Sequence, residues 1–135
     1  MRLLLFLLLA CGSGEEDVPL VTESAAQSTS ALVRQCLEGA IKLREEGQAE
    51  AASAAVLGCY GTHFEPMERP LRAHNRKATL SLEYEFGRVA SHMSQSGSGQ
   101  AANGMASRLA DRLERVLSTM PVAAPDTGAA AAVAE

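Results

Sequence analysis

The chain has 135 residues with 12 basic and 16 acidic side chains, a net charge of −4 and three cysteines. That length suits one small domain, and an acidic chain lacks the basic face that nucleic-acid binding requires. Beyond the first ten residues no apolar run is long enough to cross a bilayer.

Residues 1–10 are Met1-Arg2 followed by eight apolar residues, Leu3 to Ala10, and Cys11 comes next. A positive start, an apolar core and a small residue before the break predict an export signal. Leu8-Leu9-Ala10-Cys11 resembles the lipobox of bacterial lipoproteins. That resemblance implies that Cys11 is lipidated and becomes the mature N-terminus, anchoring the chain in the bacterial envelope facing the periplasm. Gly12 and Ser13 follow, without the Asp that retains many lipoproteins in the inner membrane, so the outer membrane is favoured. A signal cut by the ordinary peptidase is the alternative. Residues 11–28 are small, polar and acidic around Pro19 and predict a flexible stalk.

The first helix is expected from Ser28 or Thr29, either a good N-cap, with Val33, Cys36, Leu37, Ala40 and Ile41 as its apolar stripe. Gly47 should end it. An Ala-rich second helix then runs from Gln48 to about Phe64, closely packed as an antiparallel hairpin. Cys36 lies eleven residues before Gly47 and Cys59 twelve after it, so the two are level in such a hairpin. A disulfide between Cys36 and Cys59 is permitted in an oxidising compartment; two buried free thiols are the alternative.

Pro66 should bend the chain, with a short turn over Met67–Leu71. A third helix begins near Asn75 or Arg76 with Ala78, Leu82, Phe86, Val89 and Met93 inward. Ser94 to Gly104 reads as loop. A fourth helix runs from Gly104 to Met120 on Met105, Leu109, Leu113, Val116, Leu117 and Met120, with Arg108, Asp111, Arg112, Glu114 and Arg115 as a solvated, locally paired face. Residues 121–135 read as a disordered tail. The fold expected is all-α, an up-down-up-down four-helix bundle over residues 29–120.

Chemistry-bearing residues concentrate between Tyr60 and Phe86. His63, Glu65 and Glu68 cluster near Pro66, and Glu83 and Glu85 flank the stripe of helix three. A carboxylate bordering a core is costly unless paired or bound to a cation, and bundles build metal sites from such residues on facing helices. Hard oxygen ligands with an imidazole suit iron, manganese or calcium. Against this, Arg69, Arg72, Arg76, Lys77 and Arg88 surround the same carboxylates, so salt bridges explain them equally well. No nucleophile–base motif or phosphate loop is present, and a non-enzymatic role is expected.

Leu43-Arg44-Glu45-Glu46-Gly47, the Ala-rich segment to Tyr60, Phe64-Glu65-Pro66-Met67-Glu68-Arg69-Pro70-Leu71, and Leu82-Glu83 with Phe86 resemble the periplasmic N-terminal domain of bacterial high-affinity iron permeases. Those domains carry a Phe-Glu-x-x-Glu-x-x-Leu segment and a Glu three residues before a Phe. The resemblance implies a helical domain that binds or hands over iron through Glu65, Glu68 and Glu83, with a permease or another envelope protein as partner. His63 joins the ligand set by proximity alone. Asn75-Arg76 stands where the family has Asp-Pro, and the permease's membrane helices and Arg-Glu motifs are not in this sequence, so metal binding or docking is implied, not transport.

Overall fold

The computed structural model describes residues 21–97 and 99–121. Cys11, the leader, residues 11–20 of the expected stalk and the tail from residue 122 lie outside the described residues. Four α-helices account for most of the rest: α1 (Glu23–Glu45), α2 (Ala49–Cys59), α3 (Glu65–Ser94) and α4 (Gly99–Leu117), with a π-helical turn over Tyr60–Phe64 between α2 and α3. The protein is all-α, with no strand among the described residues. α1 packs on α2 and α4, α2 on α3, and α3 on α4. No described helix is long and apolar enough to cross a membrane.

α1 begins five or six residues before the sequence-based start, because Thr22 caps it. The Thr22 hydroxyl accepts from the Ala25 amide at 3.1 Å, and Glu23 places a negative charge in the first turn. Residues 23–28 therefore belong to the helix and not to a stalk; Ala26 is buried and joins the core. Gly47, at φ +81°, closes α1 as expected. Its amide donates to the Arg44 carbonyl and the Gln48 amide to the Leu43 carbonyl, the paired bonds of a Schellman turn, for which glycine is the residue without steric cost. The turn sends α2 back along α1 so that Cys36 and Cys59 meet. Their sulfurs are joined, with Cα atoms 5.8 Å apart.

The expected break at Pro66 does not occur. Pro66 sits at the start of α3, and because Glu65 before it keeps helical geometry (φ −51°, ψ −42°) the chain runs from α2 through the π turn into α3. The break lies at Asn75 instead, whose backbone is non-helical (φ −148°, ψ 81°). Its side-chain oxygen accepts from the Ala78 amide at 3.0 Å, so Asn75 N-caps the second arm of α3 at the expected start of helix three. The segment expected as a turn over Met67–Leu71 is helical and buries Met67, Pro70 and Leu71.

α4 starts at Gly99, ahead of the expected Gly104. Its buried line is Ala102, Ala106, Leu109, Leu113 and Leu117, and small alanines extend the stripe toward the N-terminus where large apolar residues were sought. Arg44 holds the preceding loop, donating to the carbonyls of Gln95 at 2.8 Å and Gly97 at 3.3 Å. Polar ties between helices lie outside the core. Arg34 of α1 bonds Asp111 at 2.9 Å and Glu114 at 2.6 Å on α4, and Arg112 of α4 pairs with Glu85 of α3. Asp111, Arg112 and Glu114 of the charged face of α4 thus pair with other helices.

Candidate functional site

Three aromatic rings floor the region where the sequence concentrates its acids. In the π turn the Glu65 amide reaches back to the Tyr60 carbonyl, one residue further than in an α-helix. The extra residue brings Tyr60 and Phe64 onto the face that meets Phe86. The ring centroids lie 5.7 Å (Tyr60–Phe64), 5.5 Å (Tyr60–Phe86) and 5.3 Å (Phe64–Phe86) apart, the spacing of favourable tilted and edge-on contacts. Phe64 and Phe86 are fully buried. Tyr60 is half-buried, and its hydroxyl emerges at the rim.

At that rim the Tyr60 hydroxyl donates to Glu68. Arg72, one turn beyond Glu68, donates to Glu68 at 3.2 Å and to Glu83 at 2.5 Å. Glu68 and Arg72 stand before the Asn75 kink and Glu83 after it, so Arg72 ties the two arms of α3. The Glu68 side chain keeps 16% of its surface exposed and Glu83 25%, against 46% for Arg72, so the two carboxylates are much better shielded than the cation.

The electrostatics follow from this packing. The hydrogen bond to Glu68 pushes the Tyr60 hydroxyl up to about 12, with burial and the charges of Glu68, Glu83 and Glu65 adding to it. The Arg72 guanidinium is also raised, first by its bond to Glu83. A phenol held protonated against a carboxylate is a poor nucleophile, base or anionic ligand near neutral pH.

The four residues expected as metal ligands have separate fates. Glu68 and Glu83 come together, but through Arg72. Glu65 is exposed on the first turn of α3 and near enough to act on Tyr60 by charge alone. His63 is half-buried in the π turn. Among the described residues no three His, Cys, Asp or Glu side chains are arranged to hold a metal ion. Of the expected ligands His63, Glu65, Glu68 and Glu83, only Glu68 and Glu83 share a partner, and that partner is Arg72. Sequence reasoning named Arg72 among the basic residues around these carboxylates and missed Tyr60 as a member of the cluster. Arg72 was legible as the i+4 partner of Glu68; the role of Tyr60 depends on the π turn, which no spacing rule announced.

No family model, no curated protein and no solved structure matches this chain.

Proposed function

We propose that the chain is a lipid-anchored, periplasm-facing envelope protein whose helical domain, an up-down-up-down four-helix bundle, acts by binding another protein and not by catalysis. The observation that carries this reading is Arg72 between Glu68 and Glu83. Two of the carboxylates that would have made a metal site, Glu68 and Glu83, are held by the same arginine within the fold. The lipobox-like leader supports the anchor, and Leu80 and Tyr84, one turn apart on α3, are both exposed.

A second reading, an iron-handling accessory of a permease, keeps one supporting observation: Glu65, Glu68 and Glu83 all act by charge on the Tyr60 hydroxyl. Three carboxylates and a phenol form a hard-oxygen set suited to iron, which would have to displace Arg72. Calorimetric titration of the oxidised chain with Fe(II), Fe(III), Mn(II), Zn(II) and Cu(II) separates the two. The interaction reading expects no saturable binding. One-site binding that a folded Glu65→Ala/Glu68→Ala/Glu83→Ala variant loses would replace it with the iron reading.

A further inference from the structure

The groove between α3 and α4 encloses about 520 Å³ and has the opposite electrical character to the rest of the chain. Arg88 and Val89 line it from α3, and Met105, Arg108, Arg112 and Arg115 from α4. Its two carboxylates are already engaged, Glu85 with Arg112 and Asp111 with Arg34 of α1. None of the ion pairs among the described residues involves Arg88, Arg108 or Arg115. A chain of net charge −4 thus gathers three uncommitted arginines along one groove. Arg108, Arg112 and Arg115 recur at i, i+4 and i+7, a straight row roughly 10 Å long on one helix face.

An apolar strip adjoins this row. Leu80, Tyr84 and Arg88 follow one another at four-residue steps on the outer face of α3, and the Arg88 guanidinium lies 5.8 Å from the Tyr84 ring centre. Tyr84 is 68% exposed and Leu80 46%. Tyrosine and arginine are enriched at interface centres, and here an exposed Tyr–Leu strip stands beside arginines without an ion pair.

We propose that the α3–α4 groove with the Leu80–Tyr84 strip is the docking surface for an acidic amphipathic helix of a partner protein. The partner's carboxylates would meet Arg88, Arg108 and Arg115, and its apolar side chains would cover Tyr84 and Leu80. A helix lying along two packed helices matches the linear spacing of the row. The same charges steer the encounter, so association weakens with salt. The proposal rests on the protein-interaction reading above and names the surface it uses.

The test is fluorescence anisotropy of a labelled synthetic helix, leucine on one face and glutamate on its flanks, titrated with the full chain at low ionic strength. A lysine-flanked counterpart and vesicles of anionic phospholipid run beside it. The glutamate helix should bind saturably and the lysine helix should not. Arg108→Glu/Arg115→Glu and the milder Arg108→Gln/Arg115→Gln should each weaken binding by about tenfold or more at unchanged helical circular dichroism. Tyr84→Ala should weaken it too, while Arg69→Glu/Arg76→Glu, away from the groove, should not. Equal binding by the groove variants, equal binding of both helices, or arginine-dependent binding of vesicles but not of the helix would overturn the proposal. Photo-crosslinking residues introduced in cells separate this failure from that of the wider reading. Capture from position 57 but not from position 84 overturns the groove alone; silence from 32, 57 and 84 overturns the interaction reading itself.

Discussion

The two polar regions of α3 treat charge in opposite ways. Around Tyr60, two well-shielded carboxylates, a phenol and one arginine are hydrogen-bonded to one another. In the α3–α4 groove the carboxylates are spoken for and three arginines remain over. The first region sits on a floor of buried rings and joins the arms of a kinked helix; the second lies between two helices tied by Arg112 and Glu85. A cluster whose side chains are bonded to one another ties the fold together. One with side chains left without an ion pair is available to something outside the fold.

The comparison breaks most severely if the floor is removed. Phe64→Ala empties a fully buried ring site and should cost about 3–5 kcal/mol, read from the denaturant midpoint, with the Tyr60 cluster lost along with the ring contacts. The groove variants, by contrast, should leave that midpoint nearly unchanged. Next in size is the disulfide. Cys36 and Cys59 are 23 residues apart in sequence, and the chain-entropy account assigns a loop of that length about 3 kcal/mol. Cys36→Ala/Cys59→Ala, or reduction of the native chain, should lower the unfolding free energy by that order. An unchanged midpoint would mean that the bridge constrains little in the unfolded chain.

What the sequence revealed divides along the same line. The first hairpin was legible because one glycine fixed its turn and helical spacing set the cysteine register; Gly47 and the Cys36–Cys59 pair needed no distant information. The early start of α1 was missed because Ser28 and Thr29 outshone Thr22 as caps, although Thr22 makes the bond. In the second half, Pro66 signalled a break that does not occur because Glu65 keeps helical geometry, and the real kink fell at Asn75, already named as a helix start. The acids were found, with Arg72 among the five basic residues offered as their partners, and the choice between those and a metal stayed open. Whether Glu68 and Glu83 face a metal or an arginine depends on the angle at Asn75 and on one extra residue in a π turn. Neither leaves a periodic trace.

Smaller effects sharpen the contrast. Arg72→Met should lower the denaturant midpoint only slightly, because Arg72 is nearly half exposed and such pairs are screened by water and salt. Calorimetry on that variant carries a second reading: if iron binds only when Arg72 is gone, the arginine is the barrier that keeps the carboxylates from acting as ligands.

The smallest effect is a pH dependence confined to the alkaline side. Tyr60 is held protonated in the fold, up to about 12 from an ordinary value of 10.0. The folded state therefore binds the phenolic proton more tightly than the unfolded chain does. This contribution is complete below about pH 10 and is lost as pH rises from there through about 12. Unfolding followed across that window should show stability falling in the native chain and falling less in Tyr60→Phe, which has no proton to lose. In a Tyr84→Phe background, phenolate absorbance reports Tyr60 alone, and Glu68→Gln should bring its titration down, since the bond to the carboxylate is the largest cause of the rise. A titration that Glu68→Gln leaves in place would mean that burial against Phe64 and Phe86, and not the Glu68–Arg72–Glu83 chain, holds the proton. The Tyr60 cluster would then be as open to an outside cation as the groove is to an outside acid.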